Sequence, residues 1–195
     1  AVITHQICMS EDGGKMSEFQ ATTQIHSMMN EPGTISLGYN TLGFDDEFMR
    51  FAFYRNLLSP YTHQYANGCQ RYDIFPITVF YYLFENSILK WPKVDGKSTL
   101  KLEHIVTENG WFQGRAHHAM NDVDATIKLA SRLKSANPEM WNYLIGYFDK
   151  SMDAERIAAL PKAFKNHIDF RFGVMVHAKF GSGNEYSAIV LALGS

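Results

Sequence analysis

The sequence predicts a mixed α/β fold early in the chain, followed late in the chain by short helices that lead into antiparallel strands. Residues 34–39 alternate apolar and small polar side chains, which is the period of a strand. Residues 119–134 repeat apolar side chains at intervals of three and four, which is the period of a helix. Residues 170–193 place a glycine-rich turn between two apolar runs, a pattern typical of a β-hairpin.

The remaining predicted elements are helices that follow the same spacing rule. The predicted helix at residues 45–58 opens with three acids, where the helix dipole favours negative charge. On the helix at residues 119–134, Val123 and Ile127 are expected to anchor one face in the core. The other predicted helices occupy residues 10–29, 73–84, 139–148 and 152–160, and one more follows a Ser98 cap and is closed by Gly110.

The pattern of predicted secondary structure changes at Asn137-Pro138, which predicts a domain boundary there. Strands and long helices precede this dipeptide, whereas short helices leading into antiparallel strands follow it. We therefore expect one domain at residues 1–137 and the beginning of another at residues 138–195.

Composition limits the classes of function that fit. The chain has 195 residues, of which 46% are hydrophobic, enough for a sizeable buried core. The formal net charge of −2 excludes a strong overall positive charge as the means of attracting nucleic acid. Any DNA contact must come from a local patch, and carboxylates that hold metal ions present a positive site once those ions are bound.

Cysteine usage and the first residues of the chain predict a cytoplasmic protein. Cys8 and Cys69 lack metal-ligand spacing and are interpreted as free thiols in a reducing compartment. The first residues do not resemble a secretory signal, and no apolar run reaches membrane-spanning length, so we expect no membrane contact. We also expect a monomer. Because the chain begins at Ala1 and stops directly after a strand-like run, we expect both ends to be cuts.

The first chemically informative segment is residues 38–46, where a predicted strand is followed by a tight turn and then by Asp45 at the start of a helix. Metals and phosphates favour this location, because the carboxyl ends of strands and the amino ends of helices meet at one edge of an α/β sheet. By spacing alone, Asp45 is more simply interpreted as a helix cap.

The second segment is residues 115–125, which places His117 and His118 next to Asp122 and Asp124 at the start of a helix. Taken alone, it is most simply interpreted as two first-turn acids beside two surface histidines. Residues 115–125 indicate a functional site only in combination with residues 38–46.

Together the two segments resemble the second and third motifs of the DEDDh 3′→5′ exonucleases. One motif is Asn40 followed after three residues by Phe44-Asp45, and the other is His117-x-Ala-x-x-Asp122. The tetrapeptides Leu-Gly-Tyr-Asn and Phe-Asp-Asp-Glu and the tripeptide Arg-Tyr-Asp narrow the resemblance to the bacterial exonuclease I family. The resemblance implies a ribonuclease H-like exonuclease domain, an incomplete mixed sheet with flanking helices, followed by the start of an SH3-like β-barrel domain.

The family resemblance implies cleavage of phosphodiester bonds with two divalent ions, Mg²⁺ or Mn²⁺, about 3.5–4 Å apart. By position in the motifs, Asp45 and Asp122 would be two of the four metal-binding carboxylates, and His117 would be the general base. Spacing alone would instead pair His118 with Asp122, since residues four apart share a helix face. The implied substrate is single-stranded DNA, cut from its 3′ end in repair and recombination, and an implied partner is single-stranded-DNA-binding protein.

One departure from the family concerns its first motif, an Asp-x-Glu at the end of the opening strand. No such strand precedes Asp45, and the Asp-x-Glu at residues 153–155, which follows the third motif, is interpreted as a surface pair on a helix. We therefore expect the upstream strands to be absent from this chain. The 195 residues would then be inactive by themselves, and one side of the sheet would be open unless another segment covers it.

Residues that contact DNA are less clearly indicated. Arginines near the motifs could meet phosphates, but solvated arginines on helix surfaces are at least as consistent with the sequence. The candidates are Arg50, Arg55, Arg71 and Arg115, and three nearby aromatic residues, Tyr39, Phe44 and Phe48, are interpreted as core rather than as a stacking platform.

Two rival functions remain open at this point. The first is a non-catalytic nucleic-acid-binding or interaction module that has lost the Asp-x-Glu motif. The second is a relative that acts on RNA ends or on the substrate of a proofreading subunit. The sequence upstream of Ala1 would discriminate, because a strand ending in Asp-x-Glu supports the enzyme.

Overall fold

The computed structural model describes residues 16–111, 119–165 and 168–192. These residues divide into two compact units. The first unit contains residues 16–73 and 119–124, and the second contains the other described residues. The division into domains at residues 1–137 and 138–195 stays a prediction.

The first unit opens with helix α1, Glu18–Met29. A capping box sets its start: the Ser17 hydroxyl accepts the backbone N–H of Gln20, whose side-chain oxygen accepts the N–H of Ser17. The sequence predicts that this helix begins at residue 10. Met16 and Ser17 are not helical in the structure, so that prediction is wrong for these two residues. Residues 10–15 lie outside the described part of the chain.

A parallel pair of strands, β1 and β2, lies at the centre of the first unit. Strand β1 is Ile35–Gly38 and strand β2 is Gln70–Asp73, with Gly38 paired to Asp73. Helix α2, Asp45–Arg55, connects them. The sequence predicted β1 and α2, but β2 was missed and its last residue was assigned to the following helix.

Helix α2 ends in a Schellman motif. The N–H of Leu58 donates to the carbonyl of Phe53, and the N–H of Leu57 donates to the carbonyl of Tyr54. Leu57 occupies the left-handed position of the motif with φ 58° and is almost fully exposed. Glycine is the residue that this position favours, because a Cβ in the left-handed region costs roughly 1–2 kcal/mol.

Replacing Leu57 with glycine is therefore expected to raise the free energy of unfolding by about 0.5–1 kcal/mol. The relief of strain exceeds the roughly 0.5–1 kcal/mol by which glycine favours the unfolded chain. Urea denaturation measures the difference. Leu57→Ala is the matched control, since it trims the side chain but keeps the Cβ, and equal stability of the two variants would contradict the explanation.

Phe53 lies at the centre of the first unit's core between two histidines. Its ring meets His26 edge-on at 4.9 Å between centroids and His63 at 5.4 Å. His63 is 1% exposed, and its Nδ1 has no hydrogen-bond partner among the described residues. Burial, and to a smaller extent the neighbouring His26, lower the pKa of His63 below 6.5.

The lowered pKa of His63 predicts a loss of stability in mild acid. Below pH 6.5 the unfolded chain binds a proton at this position while the folded chain does not, so the free energy of unfolding falls as the pH decreases towards the folded-state pKa. Above pH 6.5 this contribution is complete. Urea denaturation of His63→Phe should show a smaller slope between pH 6.5 and 5 than the unmodified protein. An NMR titration of His63 with a midpoint at or above 6.5 would contradict the prediction.

The core of the second unit is built around helix α3, Ile74–Phe84, which follows β2 directly and is largely buried. It packs against helix α6, Pro138–Ile145, and against strand β6, Ile168–Val176. The Tyr81 hydroxyl donates to the carbonyl of Asn137 at 2.7 Å. Burial is the main cause that raises the pKa of Tyr81 to about 12.

Three more helices lie where the sequence predicts them, but the predicted start of one of them is wrong. Helix α4 is Leu102–Glu108, and its N-cap is Lys101 without a side-chain bond, so the prediction of a Ser98 cap is wrong. Helix α5 is Ala119–Ala136, and α7 is Asp153–Ala159.

The buried face of α5 differs from the predicted one. The side chains of Val123 and Ile127 are about half exposed, so the prediction that they anchor the helix is wrong. The side chains that face the core belong to the neighbouring stripe on the same helix, namely Ala125, Leu129, Ala130 and Leu133.

Two small antiparallel sheets complete the second unit. Strands β3 (Lys93–Val94) and β4 (Lys97–Ser98) form a hairpin whose turn is Asp95-Gly96. Strands β5 (Lys162–Lys165), β6 and β7 (Ser187–Ala192) form a three-stranded sheet in that order. The strands predicted on both sides of the 181–184 turn are confirmed. In the part of the chain that the structure describes, every helix is too short or too polar to cross a membrane.

Candidate active site

The turn between β1 and α2 carries the first sequence motif. Asn40 lies in the left-handed region with φ 58° and ψ 42°, a conformation that asparagine tolerates better than most residues. A Cβ at Gly38 would collide with Cγ2 of Thr41, so a larger residue there would require the Thr41 side chain to move. The turn therefore favours glycine at position 38 and asparagine at position 40.

The buried carboxylate of Asp73 fixes this turn to the end of β2. Its Oδ1 accepts the backbone N–H of Asn40 at 2.7 Å, and its Oδ2 accepts the N–H of Thr41 at 3.0 Å. Asp73 is 1% exposed. Both carboxylate oxygens therefore bond to the backbone that leads from β1 towards α2, which offsets the cost of burying the charge.

Asp45 is the first residue of α2, and its side chain is exposed. The N-cap of α2 is Phe44 and makes no side-chain cap bond, so the alternative interpretation of Asp45 as the cap is wrong. The next residue, Asp46, forms a largely buried ion pair with Arg71 of β2. The two adjacent acids are thus used differently, one turned to solvent and the other paired.

Asp122 lies in the first turn of α5, and its side chain is exposed. It belongs to the same compact unit as Asp45. His117, His118 and Arg115 lie outside the described residues. Both candidate metal-binding carboxylates therefore belong to one compact unit, whereas the candidate general base, His117, is not described.

The available donors are of the right chemical kind for Mg²⁺ or Mn²⁺, which prefer carboxylate oxygens. Two exposed carboxylates, those of Asp45 and Asp122, match that preference. Within residues 16–111, 119–165 and 168–192, no group of three or more histidine, cysteine, aspartate or glutamate side chains is arranged to hold a metal ion. The alternative Asp-x-Glu, Asp153 and Glu155, is exposed in the first turn of α7, as interpreted from the sequence.

The arginines near the motif are engaged locally. Arg50 forms an ion pair with Glu47 at 3.2 Å and lies over the ring of Tyr61, 5.4 Å from its centroid. Arg55 forms an exposed ion pair with Glu18 at 2.6 Å. Contacts of these arginines with DNA stay a prediction.

Two aromatic residues next to Asp45 are more exposed than expected. Phe44 is 71% exposed and Phe48 is 59% exposed, and their rings stack at 6.1 Å. The interpretation of these two as core residues is wrong in the described structure. They lie on the outward side of the first turn of α2, while Ala52 and Phe53 of the same helix are buried.

The contribution of β2 is not evident from the sequence. The sequence indicates Arg71 only as a possible phosphate contact and predicts Asp73 as the first residue of a helix. The only signal for their role was the Arg-Tyr-Asp tripeptide. It did not indicate the partners, which lie 25 to 33 residues earlier in the chain.

Comparison with known proteins identifies relatives of the chain. No family model matches it. It is 36% identical over 135 residues to exodeoxyribonuclease I of Escherichia coli and 34% identical over 136 residues to that of Buchnera aphidicola subsp. Schizaphis graminum. Each alignment covers 69% of this chain and 28% of the relative, so the chain spans little more than a quarter of the curated relatives it matches.

Solved structures agree with these relatives. The structure of E. coli exonuclease I in complex with a dA16 oligonucleotide matches 98% of this chain with a TM-score of 0.83 and 29% identity, over 40% of that chain. An ExoI/SSB-Ct complex matches 97% of this chain with a TM-score of 0.80 and 28% identity, also over 40% of that chain.

The structural matches confirm the predicted fold class. The chain has the fold of a ribonuclease H-like exonuclease domain followed by the start of an SH3-like domain, with no closed barrel among the described residues. Identity above 30% with several exodeoxyribonucleases I, together with this agreement in fold, confirms the resemblance drawn from the motifs. The chain therefore belongs to the exodeoxyribonuclease I family.

Proposed function

We propose that this chain supplies part of the active site of a metal-dependent 3′→5′ exodeoxyribonuclease, which hydrolyses single-stranded DNA from its 3′ end to nucleoside monophosphates. The observation that carries the proposal is the alignment with exodeoxyribonuclease I together with the position of Asp45 and Asp122 in one compact unit. Each of these acids is in the first turn of a helix, and its side chain is exposed.

In this proposal, Asp45 and Asp122 hold Mg²⁺ or Mn²⁺, two ions when all four carboxylates of the site are present. The bound ions stabilise negative charge on the attacked phosphate and on the departing 3′ oxygen. His117 removes a proton from the attacking water, a task that suits a side chain titrating near neutral pH. Arg50, Arg55 and Arg115 contact the phosphates of the DNA strand.

The proposed partners follow from the molecules that the matched structures contain. E. coli exonuclease I has been solved in complex with a dA16 oligonucleotide, and another matched structure is an ExoI/SSB-Ct complex. We propose single-stranded DNA as the substrate of this protein and single-stranded-DNA-binding protein as a partner. A monomer acting in the bacterial cytoplasm, in DNA repair and recombination, is the corresponding cellular setting.

Digestion of an oligonucleotide labelled at its 5′ end tests the proposal on the intact protein. With Mg²⁺ or Mn²⁺ we expect progressive shortening from the 3′ end and release of nucleoside monophosphates, and with EDTA no cleavage. Asp45→Asn should abolish the shortening of the oligonucleotide, because the amide cannot replace the charge of a metal-binding carboxylate.

Glu31→Gln is the matched control, since this exposed acid belongs to the same compact unit, lies outside both motifs and is expected to keep activity. DNA binding without any cleavage under these conditions would instead support the non-catalytic binding module. Cleavage that persists in EDTA would contradict the metal-dependent mechanism.

A further inference from the structure

We propose that Arg71 and Asp73 of strand β2 are positioning residues that hold Asp45 in place. The two side chains and the segment they grip, residues 40–46, are called the β2 clamp below. The inference rests on the proposed function in one respect, namely that Asp45 binds metal.

The clamp grips the segment on both sides of Asp45. On one side, the Asp73 carboxylate binds the backbone N–H groups of Asn40 and Thr41. On the other side, Arg71 binds the carboxylate of Asp46, the residue next to Asp45. Asp45 is thus enclosed between two anchored points of the chain, although its own side chain is exposed.

The geometry of β2 explains how one strand supplies both anchors. Residues two apart on a strand point to the same face of the sheet, so Arg71 and Asp73 project together. The parallel register pairs them with Ser36 and Gly38 at the end of β1. Both side chains therefore reach the chain segment that leaves β1.

The environment of Arg71 fits an anchor better than a phosphate contact. Its side chain is 22% exposed, and that of Asp46 is 15% exposed. Burial lowers the pKa of Arg71, and the nearby Asp73 acts against this shift. An arginine paired with Asp46 has little free charge to offer a DNA strand, and its planar group suits fixed, paired contacts.

A metal ligand must be held to within about 0.5 Å by its surroundings, and loss of such an outer contact typically costs about 10–100-fold in metal affinity or activity. In the β2 clamp the outer contacts act through the backbone rather than through the ligand's own side chain. Weakening the clamp should therefore lower metal affinity and kcat, with less effect on the KM for DNA.

The test uses Asp73→Asn and Arg71→Lys in the intact protein. Asparagine keeps the size of Asp73 but offers only one oxygen to the two N–H groups, and lysine keeps the charge of Arg71 but not its planar fork. Thr78→Val is the matched control, because it deletes a buried hydrogen bond, to the Ile74 carbonyl, in the second unit. Asp45→Asn is the reference for loss of the ligand itself.

Three measurements are made on each variant: hydrogen exchange at the Asn40 and Thr41 amides, Mn²⁺ binding by electron paramagnetic resonance, and steady-state kinetics. For Asp73→Asn we expect exchange at these amides to be about 10-fold faster. For both clamp variants we expect Mn²⁺ binding and kcat to be lower by about 10–100-fold. Thr78→Val should change none of these, even where its thermal stability falls as far.

The outcomes separate the two proposals. If Asp45→Asn removes Mn²⁺ binding while both clamp variants behave like Thr78→Val, the positioning role is wrong and the proposed function stands. If Asp45→Asn leaves Mn²⁺ binding unchanged, the proposed function fails at Asp45 and the positioning role falls with it. Unchanged amide exchange in Asp73→Asn would by itself overturn the anchor at Asn40 and Thr41.

Discussion

Replacing Asp122 with alanine is expected to lower kcat on single-stranded DNA by roughly 10³-fold while leaving DNA binding intact. A metal ion contributes several kcal/mol of transition-state stabilisation, and each 1.4 kcal/mol corresponds to a factor of ten in rate. Removal of a carboxylate that holds the ion forfeits most of that contribution. Binding should not weaken, because the change deletes a negative charge that repels the phosphate backbone.

Asp124→Ala provides a matched comparison for Asp122→Ala. Asp124 is also exposed, lies two residues further along α5 and carries the same charge. If both acids were ordinary residues of a helix start, the two variants would behave alike. Single-turnover cleavage measures the chemical step, and fluorescence anisotropy with a labelled oligonucleotide in EDTA measures binding. Unchanged turnover in Asp122→Ala would remove Asp122 from the active site.

Replacing Leu129 with alanine is expected to lower the free energy of unfolding of the 195-residue chain by about 2–5 kcal/mol. Leu129 is 0% exposed, and the small side chain would leave a cavity in the second unit. Ile127→Ala, on the same helix, should cost less than about 1 kcal/mol, because half of that side chain is already in water. Urea denaturation gives both values. A larger loss for Ile127→Ala would restore the face of α5 predicted from the sequence.

The case of α5 shows what periodicity can and cannot predict. The helix was predicted correctly, because apolar residues recur every three or four positions. Two overlapping stripes share that spacing, however, one through Val123 and Ile127 and the other through Ala125 and Leu129. Spacing alone cannot tell which stripe faces the core, since that depends on the elements packed against the helix.

Strand β2 and its two charged residues could not be predicted for a different reason. The four residues Gln-Arg-Tyr-Asp show no apolar alternation. Because an apolar run follows them, the sequence pattern assigns Asp73 to the next helix. The bonds from Asp73 to Asn40 and Thr41 join positions far apart in the chain. By contrast, Asp45 and Asp122 are predicted as site residues because each lies in a local motif that can be recognised without knowledge of the fold.

The strand pair of the first unit also affects how the chain behaves in solution. Within the described residues, β1 pairs with β2 on one side only, and Ile35 and Leu37 on β1 are about half exposed. An open strand edge beside aliphatic side chains favours pairing between copies. A net charge of −2 gives little electrostatic repulsion to oppose it. Concentrated samples of the 195 residues therefore need conditions that suppress self-association, such as low protein concentration or a pH well away from the isoelectric point near 6.5.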